Sequence, residues 1–573
     1  MDYMRSLVGA NTKKIQVPRV ATDDVYPVHF FDDTKPFREM LLNWTLRFDD
    51  VLDPEKLHLS LAKLLDIGDW RKLAGRMRLT KDNKLELHVP HKFTPARPAV
   101  RFSHEVHNMS ISEHKWAKYM PKATAAPSVQ PGVVNFYTLG AREGAPRTLE
   151  DLLSSDEPGI ALHVVSFNDA TLVGLLFSHV LFGAAGMQAL VEAWSLVLAG
   201  REAEVPVLHG ARRDILDDVG VDTDPEKEAF LLDRRMLKGF RHFRFSLRFL
   251  WDIMRRPEIE SKILCLPADF VAGLRAQAMA DLHAMDEKGM GTGEAPFVSE
   301  GDVLTAWWTR IVCAARGSNR PVTVLNAVDI TGRLKGVFAP GKLYVQNFAL
   351  GTWTLLSAAE VLKAPLGYVA RCFRYDIQTQ TTPSQLMAFM RRVRQRGRCK
   401  TQPLYGNPNS MLIIFTNWSR CKFFDCIDFA PAVIHAIAEL PTVPEDENNN
   451  GNGNGNGNGN GKPNGGDSIV SDSISNGGGG GGGGGDDLEK QANNADVVQP
   501  LRRPPPGKIS YHHSMTRTRT ILSRNVFTIL GKDVNGSYWV SALGHPECWD
   551  KLEKEVSISS MDTLRRLRPE TAN

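Results

Sequence analysis

The stretch Leu172-Val173-Gly174-Leu175-Leu176-Phe177-Ser178-His179-Val180-Leu181-Phe182-Gly183 reads as a buried strand that runs out into a histidine and a tight turn. Upstream, a second apolar run begins at Ile160, and Asn168-Asp169 between the two runs is a hairpin signal. Downstream, Met187, Leu190, Val191, Trp194, Val197 and Leu198 recur at helical spacing until Gly200 stops the helix. A lone histidine beside apolar strands is more often a packed core residue than a catalyst. Here a strand, a turn containing Gly183 and Gly186, and a helix starting at once would hold the imidazole rigidly at a strand terminus, a good position for a general base.

Working outward, Pro54 to Leu65 reads as an amphipathic helix with Leu57, Leu61, Leu64 and Leu65 on one face. Leu73 to Leu79 and Leu85 to Val89 flank a turn at Lys81-Asp82-Asn83, a hairpin pattern. Arg234 to Arg256 is basic and aromatic and reads as a crossover helix with solvated arginines; a membrane-surface helix is the other reading. Ser299-Glu300-Gly301-Asp302 fits a capping box, and Val322 to Val328 is a buried-strand run leading into Asp329. From about Pro441 to Gly507 the composition shifts to alternating Gly-Asn, a nine-glycine run and three prolines, which bury too little apolar surface to offset the entropy of ordering. Beyond it, Asn525 to Leu530, a turn at Asn535-Gly536, Tyr538 to Leu543 and a helix over Trp549 to Val556 predict a return to folded structure. The tract therefore interrupts a domain.

The 573 residues are 42% hydrophobic, 8% aromatic and 23% charged, with room for more than one core. Lys plus Arg at 69 against Asp plus Glu at 65 gives +4, which specifies neither a nucleic-acid nor a membrane partner, and none is expected. Seven cysteines without a CxxC pair fit reduced thiols in a cytosol-like compartment and offer no metal site. Cys421 and Cys426 leave an incomplete ligand shell. Met1 to Lys14 lacks an apolar core, so no ordinary secretory signal is expected. Asn168, Asp169, His179 and Glu192 interrupt the apolar stretch Ile160 to Gly200, which is therefore no bilayer span. A soluble cytoplasmic protein is the expectation.

The order of segments resembles a known family, the acyl-CoA-dependent BAHD acyltransferases, in the fungal branch similar to trichothecene 3-O-acetyltransferase. Leu73-Ala74-Gly75-Arg76-Met77-Arg78 resembles the family's "LAGRL" segment, and Phe177 to Gly183 with Trp194 resembles its His-x-x-x-Asp-Gly segment. Val303 to Trp308 is similar to the helix opening the second half, and Ala327 to Leu334 to the "VDxRxRL" strand. Tyr344-Val345-Gln346-Asn347 matches "Y-x-x-N". Thr416-Asn417-Trp418 followed by Asp428-Phe429 stands where the family has Ser-Trp and Asp-Phe-Gly-Trp-Gly. Each segment is weak alone; the ordered set covers nearly the whole chain.

The resemblance implies an α/β fold of two chloramphenicol-acetyltransferase-like lobes, each a mixed β-sheet covered by helices, with an active-site tunnel between them. The N-terminal lobe would be residues 1–220, the crossover segment 221–260 and the C-terminal lobe 261–573, interrupted by the insert at 441–507. It implies a monomer that esterifies a small-molecule alcohol, a fungal terpenoid or polyketide, with acyl-CoA (acetyl-CoA) as co-substrate and no tightly bound cofactor or metal. His179 would be the base, with the Trp418 indole N–H and Thr416 hydroxyl as oxyanion donors. Asn347 would orient the acceptor or the nearby backbone, and Arg391 and Arg392 would meet the coenzyme phosphates.

Three departures stand out. The family's aspartate four residues after the histidine is Gly183, and its first strand arginine is Thr331, leaving Arg333. The two changes would remove both ends of one scaffold ion pair together. Third, the segment from Asp428 lacks the family's glycines and tryptophan. Two other readings follow: a catalytically impaired member that binds a metabolite or protein in the same cleft, and an amide-forming relative. The latter group expects a doubled histidine where this chain has Ser178-His179.

Overall fold

Ile160–Ser166 and Thr171–Ser178 pair antiparallel, from Ile160 opposite Phe177 to Ser166 opposite Thr171. Every residue of the second strand is buried, as its unbroken apolar run requires. The computed structural model describes residues 16–221, 228–287, 297–317, 319–436, 501–517 and 523–566. The chain divides into one unit of residues 1–437 and 500–573 and a second of 438–499, which lies outside the described residues. The same holds for residues 441–500 of the expected insert.

Two mixed sheets carry the described unit. The five-stranded sheet contains β1 (Leu41–Phe48), β2 (Arg101–Val106), β4 (Ile160–Ser166), β5 (Thr171–Ser178) and β10 (Tyr511–Thr516), in the order β10-β1-β5-β4-β2. The seven-stranded sheet contains β3 (Ser128–Pro131), β6 (Glu260–Leu266), β7 (Pro321–Asp329), β8 (Ala349–Ser357), β9 (Met411–Asn417), β11 (Val526–Lys532) and β12 (Tyr538–Gly544), in the order β8-β7-β9-β11-β12-β6-β3. Sheet membership thus crosses the expected boundaries at 220 and 261. β10, from the far end of the chain, pairs with β1, and β3, from the first half, pairs with β6. The physical reason is edge protection: β1 and β6 would otherwise expose unpaired backbone.

The helices follow their end signals. Between α1 (Lys35–Glu39) and the long helices, α2 (Pro54–Leu64) is capped by the Asp53 carboxylate, which accepts from the backbone N–H groups of Glu55 and Lys56. α3 (Ala184–Leu198) follows the histidine turn and buries Met187, Leu190, Val191, Trp194 and Leu198, as the spacing predicts. Its Trp194 indole N–H donates to Ser60 Oγ of α2 at 2.8 Å, fastening the two helices. α4 (Gly239–Arg255) is the crossover helix. α5 (Glu300–Arg316) begins with the full capping box, Ser299 and Asp302 each accepting from the other's backbone. α6 (Pro383–Arg396) carries the arginine cluster. No described helix is long and apolar enough to cross a membrane.

The insert's last residues differ from expectation. The Gly507 N–H donates to Asp50 Oδ2 at 2.8 Å, and its carbonyl accepts from the Phe429 N–H at 2.9 Å. Its φ is +77°, and a Cβ there would lie 2.1 Å from the Ala430 nitrogen. Only glycine fits that approach, so fixed structure resumes before the expected boundary at 507.

Candidate active site

Ser178 ends β5 opposite Leu41, the first residue of β1. The next backbone N–H, that of His179, donates to the Met40 carbonyl at 2.9 Å. Met40 follows α1, and α1 lays the Phe37 ring face to face on the imidazole, centroids 4.3 Å apart at 6°. The third restraint comes from the other half of the chain. Asn347 Nδ2 donates to the His179 carbonyl at 2.8 Å and to Asp32 Oδ1 at 2.8 Å, while its backbone N–H donates to the same Oδ1 at 2.7 Å. His179 is thus held through its N–H, its carbonyl and its ring face, while part of the residue stays accessible. Nδ1 is buried.

Burial dominates the electrostatics. It pushes the His179 imidazole down to about 4, against the opposing pull of its own carbonyl and the Asn347 side chain. At neutral pH the ring is therefore neutral, the form that accepts a proton. Burial also pushes Asp32 up to about 7, with the Lys72 charge and the two Asn347 bonds opposing it. Lys72, itself buried, is pushed down by desolvation while Asp32 and Asp214 pull it up. His29 is pushed down to about 4, by burial first and the Lys72 charge second. Its Nε2 lies 2.6 Å from the Gly210 carbonyl.

Gly183 caps α3 with no side chain to offer. A Cβ there would sit 3.0 Å from Asn347 Oδ1 and 3.8 Å from His179 Cε1. An aspartate would therefore press on Asn347, which must shift by a few tenths of an ångström to admit it. Thr331 lies exposed in the turn after β7, its N–H donating to Asp329 Oδ1 at 2.7 Å, and the Arg333 guanidinium binds the Thr381 hydroxyl. What steadies the histidine turn is Asn347 on Asp32.

The other expected residues separate. Asn347 joins His179 directly, but through its backbone. Thr416 pairs with Ala327 and Thr528 inside the seven-stranded sheet. Trp418 stands just past β9, its backbone N–H donating to the Ile529 carbonyl at 2.8 Å and its ring edge-on to Phe423. Among the described residues no hydrogen bond or ring contact links either to His179. Arg392 is already engaged: its Nε and Nη2 bind the Asp233 carboxylate, with Nη2 at 2.5 Å. That carboxylate satisfies the charge expected to meet phosphate, so Arg392 fastens α6 to the crossover segment. Arg391 packs its backbone beside Gly220. Asp428 accepts from the Ala430 N–H at 3.2 Å, and its own N–H donates to Ser195 Oγ at 3.0 Å. Two surface cavities of about 360 and 350 Å³ open beside α1 and α2, and His179 lines neither.

Sequence reasoning missed Asp32, Phe37, Met40 and Lys72. The available signal was Phe30-Phe31-Asp32-Asp33: two carboxylates directly after aromatics, both fully buried in the structure, where acids persist only with partners.

No family model matches the chain. Acetyltransferase pyiB of Pyricularia grisea is 37% identical over 538 residues, 94% of this chain and 94% of that protein. O-acetyltransferase PaAT-2 of Phomopsis amygdali is 34% identical over 544 residues, 94% and 98% of the two chains. Among solved structures, F. sporotrichioides TRI101 complexed with coenzyme A and T-2 matches with a TM-score of 0.57 over 92% of this chain and 96% of that one, at 13% identity. That likeness shows a shared α/β fold of mixed sheets covered by helices. Whole-length kinship to pyiB and PaAT-2 establishes that the chain belongs to their family of fungal acetyltransferases.

Proposed function

We propose that the protein transfers an acetyl group from acetyl-CoA to a hydroxyl of a fungal terpenoid or polyketide, with His179 as general base, acting as a cytoplasmic monomer. The observation that carries this reading is the three-point hold on His179 by Met40, Asn347 and Phe37. An alcohol is too weakly acidic to attack a thioester at neutral pH unless a base takes its proton during attack. In this mechanism the acceptor oxygen bonds to the thioester carbon as its proton moves to the imidazole. The carbonyl oxygen becomes an oxyanion, for which the Thr416 hydroxyl and Trp418 indole N–H are the proposed donors. The intermediate collapses by breaking the carbon–sulfur bond, and the imidazolium returns the proton to the departing thiolate. Both substrates lie in one site, so transfer gains from proximity without a covalent acyl-enzyme. Asn347 and Asp32 position the base and touch neither substrate.

The relatives named acetyltransferase and the coenzyme A in the TRI101 complex support the donor. Gly183, in place of the family aspartate, favours a second reading in which the cleft binds a metabolite without turnover. Incubation with acetyl-CoA and a panel of terpenoid and polyketide alcohols and amines, followed by thiol release and product mass, separates the readings. Ester formation is expected; retained metabolite binding with no thiol release supports the second reading, and amide formation overturns both.

A further inference from the structure

We propose that α4 is an interfacial anchor that docks the protein on an anionic lipid bilayer. At 100° per residue, Phe240, Phe243, Leu247, Leu250, Trp251 and Met254 fall within an arc of about 100° on this helix. All six are exposed, Phe240 by 76%, Met254 by 61% and Phe243 by 60%. The opposite side holds Phe245 and Ile253, both buried, with Phe249 packed against the same core. The helix is therefore already seated on the molecule by one apolar face and presents a second, larger one outward. A solvated crossover helix would carry polar residues there.

Charge identifies the occupant. Residues 234–256 contain eight basic side chains and one acid, Asp252, whereas the entire chain carries a net charge of only +4. Asp252 is itself taken by Arg320 at 2.7 Å and Arg316 at 3.3 Å. Arg241, Arg244, Arg248 and Arg255 line one edge of the apolar arc, and Arg244 and Arg255 are exposed. A large apolar face, one tryptophan and a row of arginines are the ingredients of a helix lying in the plane of a bilayer, apolar side chains among the acyl chains and guanidinium groups at anionic headgroups. A second copy of this chain fits poorly, because a two-fold contact through this face would set the same excess of positive charge against itself. The composition-level expectation of no membrane partner averaged this charge over the whole molecule.

The test is cosedimentation of the full chain with vesicles of phosphatidylcholine alone or with about 30% phosphatidylserine, at low salt and at 500 mM salt. Partition at least tenfold stronger to the anionic vesicles, weakening with salt, is expected. Phe243→Ser/Leu247→Ser/Trp251→Ser and, separately, Arg244→Glu/Arg255→Glu should each lower it at least tenfold, with an unchanged melting temperature because these side chains are exposed. No sedimentation of the wild-type chain with anionic vesicles would overturn the proposal. So would equal partition of wild type and both variants, or a solution dimer that the serine variant dissociates.

Discussion

Asp32 acts on His179 through one side chain. Its Oδ1 accepts two bonds from Asn347, and Asn347 in turn holds the His179 carbonyl. Asp32→Asn replaces a carboxyl oxygen that accepts twice from Asn347 by an amide that must turn its NH2 group toward some other neighbour in a buried site, costing about 1–3 kcal/mol at that contact. The expected outcome is a kcat lowered roughly tenfold or more, with KM nearly unchanged, read from initial rates alongside a melting curve. At Gly183 a side chain would bring its first carbon to 3.0 Å from Asn347 Oδ1, so Asn347 must give by a few tenths of an ångström. Gly183→Asp is expected to lower the melting temperature, because Asn347 is held by Asp32 and the His179 carbonyl and has little room to give, and adding Thr331→Arg should not restore it, because position 331 is exposed. Recovery in the double variant would show that the two positions are coupled. His179 and Asn347 were legible in the sequence because short motifs carry them. Asp32 was not, since its partner lies 315 positions away and no local pattern encodes that contact.

At the scale of elements, Phe429 shows how the segment after Asp428 serves the site. Its ring stacks on Phe48 at the end of β1, centroids 5.3 Å apart at 15°, and meets the edge of Trp194 on α3 at 4.5 Å. It therefore ties the helix that follows the histidine turn to the strand that precedes it in the sheet. The family's glycines and tryptophan are replaced here, yet the aromatic wedge remains. Phe429→Ala should cost about 3–5 kcal/mol, measured as a lowered midpoint of chemical denaturation; a loss below about 1 kcal/mol would show the wedge to be dispensable. Helices α2, α3 and α5 and the hairpin of β4 and β5 were readable because caps, glycine stops and period agree. Strands β3 and β10 were not: Ser-Val-Gln-Pro and Tyr-His-His-Ser-Met-Thr are short and polar, and pairing across the molecule, not local preference, makes them strands.

For the molecule as a whole, buried histidines set the response to acid. Burial holds His179, His29 and His545 down to about 4, and His512 and His513 to about 3. In the unfolded chain each titrates near 6.5. As pH falls from 6.5 toward 4, the unfolded state takes up protons that the native state refuses, so stability declines, by up to about 1.4 kcal/mol per pH unit for each such group. Asp32, held up near 7, works the other way over the same window because its folded form binds the extra proton. Burial also lowers His88, His104, His114 and His163 and raises Asp50, Asp376 and Asp533, so histidines outnumber carboxylates among the shifted groups, which predicts a melting temperature that drops between pH 6.5 and 5; a flat profile there would contradict the buried neutral rings.

The proton transfer from acceptor to imidazole is the step on which the functional account depends. The most direct measurement is the acetyl-transfer rate of His179→Ala with the alcohol identified in the acceptor panel, at pH 7.5, beside a melting curve. The account predicts a fall of about 10²–10⁴-fold in a protein that melts like the parent. A folded His179→Ala protein that esterifies the same alcohol at the unmodified rate would contradict it.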